Sequence, residues 1–206
     1  MLRYGYGLNG FAGHRLDDAL RVVADLGYDG VALTLDHPHL DPFVDDLAFA
    51  TSRVAATLNR LGLDVVVETG ARYVLDPWRK HEPTLVSDTG TERRVDLLLR
   101  AVQIAVDLNA QAVSFWSGTL PAGVTAAEGW HRVVEGTRVV VEEADRLGVV
   151  LAVEPEPGMF LDTLDGVLEL RAHLGAAAHK RVTSEIAKDL TQTPVADLLT
   201  YLEQQA

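Results

Sequence analysis

Apolar positions along this chain recur first at helical and then at strand spacing. A Leu-Gly or Leu-Asn pair closes each helical stretch: Leu26-Gly27, Leu61-Gly62, Leu108-Asn109, Leu147-Gly148 and Leu174-Gly175. A Gly or Asn just past a helix takes the left-handed conformation that ends it. Each pair is soon followed by a β-rich run, namely GVAL, DVVVE, AVSFW, VVLAVE and RVTSEI. Five helix-stop-strand junctions in one direction predict a βα repeat with parallel strands. In such a repeat the chemistry sits at the carboxyl ends of the strands, where the βα loops gather.

The pattern predicts six βα units. The first strand falls near Arg3–Leu8, and its helix runs from Leu16 to Leu26 with Leu16, Ala19, Leu20, Val23 and Leu26 at helical spacing. The second strand is Val31–Leu35, with a helix expected to open at Asp41-Pro42, an N-cap followed by proline at N1. The third strand, Val65–Glu68, leads through a long loop to a helix over Glu92–Leu108. The fourth is Ala112–Trp116, and Thr125 with Glu128 forms a capping box for its helix. The fifth is Val149–Glu154 with a helix over Leu164–Leu174. The sixth is Arg181–Ile186, with a last helix opened by Thr193-Pro194. This order suits either an open doubly wound sheet or a (β/α)8 barrel. A barrel has about 250 residues, so the expectation is an α/β, TIM-barrel-like fold, one domain over residues 1–206, incomplete relative to a full (β/α)8 barrel.

Composition narrows the function. A formal charge of -12 argues against a nucleic-acid surface. No cysteine is present, which excludes disulfides and thiolate metal sites. No apolar run approaches the roughly 20 residues that cross a bilayer. The N-terminus MLRYGYGLNG lacks a signal-peptide core, so a cytoplasmic address is expected.

Candidate chemistry gathers at the predicted strand ends. In VVLAVEPEPG, alternation puts Val149, Leu151 and Val153 on one face and Val150, Ala152 and Glu154 on the other. Glu154 then stands at the inner rim, where a carboxylate must be solvated, paired or metal-bound. Glu185 ends the next strand in the same phase, close enough to share a hard divalent cation such as Mn²⁺ or Mg²⁺, although a salt bridge with Lys188 competes. Glu156 reads as a loop residue. Glu68 ends strand three, and the loop after it carries Arg72, Tyr73, Trp78, Arg79, Lys80 and His81. That cationic cluster could grip a phosphate or polyol, or be a solvated loop. His37 and His39 follow strand two; on extended backbone both rings would point one way, but Pro38 favours a loop. Asn9, Phe11 and His14 follow strand one, and Ser114, Trp116 and Ser117 end strand four, as pocket linings or core. Gly5, Gly7 and Gly10 match a dinucleotide fingerprint but no helix starts directly after them. Nucleophile-elbow, phosphate-loop, HExxH and zinc-finger spacings are absent.

The stretches YGYGLNGFAGH, GYDGVALTLDHPHLDP, VVVETGARYVLDPWRKHEPTL, AVSFWSG and LAVEPEPGMFLDTL resemble the xylose isomerase-like TIM barrels, particularly the bacterial sugar phosphate isomerase/epimerase group. The resemblance implies a divalent metal ion (Mn, Mg or Zn) held by a Glu, an Asp, a His and a second Glu at the ends of later strands. The first Glu matches Glu154. The sixth-strand motif reads Ser184-Glu185-Ile186-Ala187-Lys188, with Glu185 in place of the Asp and Lys188 in place of the His. The activity implied is metal-assisted proton transfer beside a carbonyl of a carbohydrate, with Glu154 catalytic. The substrate contacts expected are Asn9, His14, His37, His39, Glu68, Arg72, Lys80, His81 and Trp116. Strands seven and eight are not expected, which leaves three explanations: a second copy or a partner chain closes the barrel, the domain is a degenerate paralogue, or the reading frame is truncated or altered after about Gly175. A non-catalytic assembly or ligand-binding subunit is the alternative, with an apurinic-site endonuclease third.

Overall fold

The computed structural model describes residues 3–175. Five strands, β1 (Gly5–Gly7), β2 (Gly30–Thr34), β3 (Asp64–Glu68), β4 (Val113–Phe115) and β5 (Leu151–Val153), form one sheet in the order β1-β2-β3-β4-β5, and every adjacent pair is parallel. A doubly wound sheet reverses its strand order at a switch point. This order has no reversal, so each crossover steps the same way around the sheet, as in a (β/α) barrel. The expected sixth strand and its helix lie outside the described residues.

The connecting helices are α1 (Leu16–Asp25), α2 (Leu47–Leu61), α3 (Thr91–Leu108), α4 (Ala126–Leu147) and α5 (Leu164–Leu174). The predicted stops hold: Gly62, Asn109 and Gly148 are C-caps in the left-handed region, at φ 68°, 51° and 79°. Thr125 caps α4 by accepting from the Glu128 amide. The Glu128 carboxylate turns outward to Arg132 at 2.8 Å, so only half of the expected capping box forms. The expectation that fails is the start of α2. Asp41 does not cap it; its carboxylate accepts from the Phe43 amide in a local turn, and Asp46 caps the helix by accepting from Phe49. Asp46, five residues later, directly borders the amphipathic stretch and so takes the cap.

Alternation along the strands decides which side chains meet the helices. Val31, Leu33, Leu35, Val65, Val67, Val113, Phe115, Leu151 and Val153 are buried in one core with Leu20 and Val23 of α1, Leu98 and Val102 of α3, and Val133 and Val140 of α4. The opposite face carries Ala32, Thr34, Val66, Glu68, Ser114, Ala152 and Glu154. Burying one Val or Leu contributes roughly 1.5–3 kcal/mol, so a one-residue slip in register, which would exchange these faces, is strongly disfavoured. Thus the apolar face that packs on the helices is also what aims the acidic side chains into the barrel interior. No helix among the described residues is long and apolar enough to cross a membrane.

Candidate active site at the carboxyl ends of the strands

Register places the polar residues of the inner face in rows. Thr34 on β2 pairs with Glu68 on β3, Glu68 with Ser114 on β4, and Ser114 with Ala152 on β5. Glu154 stands two residues beyond Ala152, on the same side, its amide donating to the Phe115 carbonyl at 2.8 Å. The Thr34 hydroxyl donates to Glu68 at 2.8 Å, and the Ser114 hydroxyl donates to Glu154. Glu68 and Glu154 thus flank Ser114 on one rim. Burial pushes the Glu68 carboxyl above its usual range, Thr34 opposes that rise, and the negative charge of Glu154 adds to it. Arg72 opposes the rise and Asp36 adds to it, so Glu68 and Glu154 belong to an acidic cluster that also includes Asp36. The sequence-derived partner of Glu154 was Glu185, which lies outside the described residues. The sequence marks Glu68 only as a substrate contact, because register across three strands is not legible in one chain.

A raised carboxyl pKa has a consequence for stability. In the unfolded chain Glu68 ionises near 4.5, while in the fold ionisation is delayed to higher pH. The folded state therefore binds the extra proton, and stability falls as pH rises through that window. Glu68→Gln, which retains an oxygen for Thr34, is expected to unfold at a higher temperature than wild type at pH 7 and to lose that advantage near pH 4. Equal melting temperatures at pH 7 would count against the assigned cause.

The loop from Thr69 to Gly90 builds the wall beside this rim. Ala71 and Tyr73 adopt φ of 51° and 58°, a left-handed conformation that costs a non-glycine residue energy and persists only when surroundings over-determine it. Arg72 sits between them. Its guanidinium donates to Asp36, which is 1% exposed, and to the Asn9 carbonyl at 3.4 Å. Arg72 therefore joins the first three βα loops. His39 belongs to the same cluster: its ring is buried, Nε2 lies 3.3 Å from the Phe11 carbonyl, and Nδ1 lies 3.5 Å from Asp36. The segment is a loop, as Pro38 favours, and the two rings part. His37 is exposed and pairs with Asp41 at 2.7 Å, because the chain turns at Pro38 instead of remaining extended.

Farther along the loop, His81 Nδ1 lies 2.7 Å from the Gly70 carbonyl, and the ring meets Trp116 edge-on at 5.5 Å. Burial lowers the His81 pKa, Gly70 opposes the fall, and Lys80 and Arg94 add to it while Glu156 opposes it. The residue that reading the sequence missed is Arg94, on α3 and 3% exposed. Its guanidinium donates to the carbonyls of Thr69, His81 and Pro83 and lies 5.3 Å from the Trp116 ring centre. Burial pushes its pKa down to about 10, so it is a cation at neutral pH. Its helical phase with buried Leu97, Leu98 and Ala101 was a signal for an inward side chain. Of the remaining expected contacts, Asn9 is exposed and its backbone carbonyl accepts from Arg72, His14 meets Phe11 edge-on at 5.0 Å, and Lys80 is exposed. A hollow of about 270 Å³ opens at the other end of the sheet, lined by Tyr4, Tyr6, Gly30, Val31 and Val65 among others. It lies away from every carboxylate of the rim.

The donor set suits a hard divalent cation in kind, since Glu68 and Glu154 are oxygen ligands whose repulsion a cation would relieve. It is not a full ligand set: among the described residues no three His, Asp or Glu side chains converge as metal ligands.

Residues 20–183 match the family model described as xylose isomerase-like TIM barrel. No curated protein matches the chain. Among solved structures, a protein from Sinorhizobium meliloti is 22% identical with a TM-score of 0.63, over 84% of this chain and 60% of its own. An AP endonuclease, family 2, from Brucella melitensis is 18% identical with a TM-score of 0.65, over 93% and 75%. A D-psicose 3-epimerase with D-tagatose from Clostridium cellulolyticum is 14% identical with a TM-score of 0.65, over 89% and 66%. This chain thus spans about 60% of the length of the first of these. At such identities the likeness is one of fold.

Proposed function

Given that this chain belongs to the xylose isomerase-like TIM barrel family, we propose that its carboxyl-end mouth is the site of a sugar or sugar-phosphate isomerase or epimerase. The observation that carries this reading is the pairing of Glu68 and Glu154 across Ser114 on one rim. Proton transfer beside a carbonyl needs a base to remove a proton and an acid to return it. β3 and β5 are two strands apart, so the backbones bearing these carboxylates are separated by roughly 10 Å. A small sugar carbon fits between side chains of that reach. Glu154, exposed at the end of β5, is the base that takes the proton. Glu68, whose proton is held more tightly, is the group that returns it.

Glu154 and Glu68, with Glu185 as the family resemblance implies, would hold a divalent Mn²⁺, Mg²⁺ or Zn²⁺ ion, which when bound supplies polarisation of the carbonyl. Trp116 and His81 form the wall against which the sugar lies, with Lys80 at its edge. Arg72 orients Asp36 and the Asn9 backbone, and His39 fixes the second loop. His14 and His37 are outer contacts.

The test is hydrogen exchange. The protein is incubated with Mn²⁺ and a panel of ketoses, aldoses and their phosphates in D₂O. Deuterium is expected at the carbon beside the carbonyl of at least one sugar. No exchange in any member defeats the reading. A non-catalytic ligand-binding subunit is the second reading, favoured by the incomplete ligand set, and it predicts a sugar that binds without exchanging. DNA binding has less support, because phosphate backbones are gripped by an excess of Lys and Arg that these loops lack.

A further inference from the structure

The cations around the mouth are almost all engaged. Arg72 is tied to Asp36, and Arg79 to Asp76 at 2.8 Å. Arg94 is spent on three backbone carbonyls. Among the Lys and Arg residues of the βα3 loop, Lys80 alone has no ion pair. His81 adds no cation either. Its Nδ1 faces a carbonyl, which can only accept, so Nδ1 carries the proton and Nε2 of the neutral ring is a lone pair. The five described βα segments (residues 8–15, 35–46, 68–90, 116–125 and 154–163) hold eleven Asp and Glu against Arg15, Arg72, Arg79 and Lys80.

The same accounting applies to hydrogen bonds. The Thr34 and Ser114 hydroxyls already donate to Glu68 and Glu154. Among the described residues, what remains is mostly acceptors: the carboxylates of Glu68, Glu154 and Glu156 and Nε2 of His81, against the ammonium of Lys80. Sugar hydroxyls are donors as well as acceptors, and each can satisfy one of these groups. A phosphate dianion only accepts, and here it would meet carboxylates with few donors in reach. Trp116 offers an aromatic wall to C–H bonds.

We propose that this mouth selects an uncharged polyol, a free sugar or sugar alcohol, and rejects its phosphate ester, because acidic groups far outnumber basic ones in its described loops and, of the three Lys and Arg residues in the loop after β3, only Lys80 is left without an ion pair. This rests on the carbohydrate reading above and narrows it. The wall formed by His81 and Trp116, held from behind by buried Arg94, is then a recognition surface for the sugar, and the acidic rim is a filter against anions.

Binding tests the idea without turnover. The full chain, with and without Mn²⁺, is titrated with free ketohexoses, the matching 6-phosphates and inorganic phosphate, followed by calorimetry and by saturation transfer to the sugar protons. A free sugar is expected to bind at least tenfold more tightly than its own phosphate, and inorganic phosphate is not expected to compete with it. Glu68→Gln and Glu156→Gln are each expected to shrink the preference by improving phosphate-ester binding severalfold. A preference below tenfold, or one for the ester, overturns this inference and leaves the carbohydrate reading standing. Binding of neither kind of sugar overturns both. An unchanged preference in both Gln variants overturns the electrostatic filter.

Discussion

Glu154→Gln is expected to reduce solvent exchange into substrate by roughly 10²–10⁴-fold, the range that a positioned general base contributes. Gln keeps the shape of Glu and an oxygen for the Ser114 hydroxyl, but it cannot take a proton, and it is a weaker ligand for a hard cation. The residue is exposed and lies beyond the end of β5, outside the core. The melting temperature should therefore stay within about 2 °C of wild type, since surface substitutions usually change stability by under 0.5 kcal/mol. That combination separates a chemical role from a structural one. Exchange at the wild-type rate in the variant would remove Glu154 from the reaction. Loss of exchange together with collapse of the fold would make it a structural residue instead.

Arg94→Ala is expected to be the most damaging substitution for stability among the charged residues discussed. Two effects oppose each other. Removing the guanidinium relieves the burial that lowers its pKa to about 10. It also strands the carbonyls of Thr69, His81 and Pro83 and leaves a void beside Trp116. Each stranded buried carbonyl costs about 1–3 kcal/mol, so the loss exceeds the relief and a net cost of roughly 3–5 kcal/mol follows. For a chain of this size about 2–4 °C accompanies each kcal/mol, so the melting temperature should drop by roughly 10 °C. Arg94→Lys should recover only part of this, because an ammonium is a compact donor while the guanidinium fans toward three acceptors. A melting temperature unchanged in Arg94→Ala would show that the loop is held by something else. Because the same side chain donates to the His81 carbonyl and lies against Trp116, sugar binding should weaken in both variants.

Much of this was legible in the chain. The Leu-Gly and Leu-Asn stops located the ends of α2, α3 and α4 because a left-handed cap is a local requirement. Strand alternation placed Glu154 correctly because its phase is set by Leu151 and Val153, two residues that must face the helices. Where the expectations fell short, the deciding interaction was distant in sequence. The start of α2 depended on which of two local caps, Asp41 or Asp46, met the amphipathic stretch. The neighbour of Glu154 depended on register through β4. The fate of the basic loop depended on Asp36, which is 36 residues away from its partner Arg72. A cluster of Arg, Lys and His in a loop reads as positive charge. Once Asp36, Asp76 and three carbonyls have claimed the guanidinium groups, little of that charge is left for a ligand.

The strand order has a consequence for how the protein is made. Each strand lies beside the one synthesised just before it, so a nascent chain never has to leave a gap for a neighbour that the ribosome has yet to deliver. Every new βα unit finds its docking surface already assembled, and the entropy lost in closing each loop is that of one short crossover. Growth of this kind proceeds outward from the amino end. The rim that joins β3 to β5 can thus be in place once α5 has emerged, ahead of any later segment.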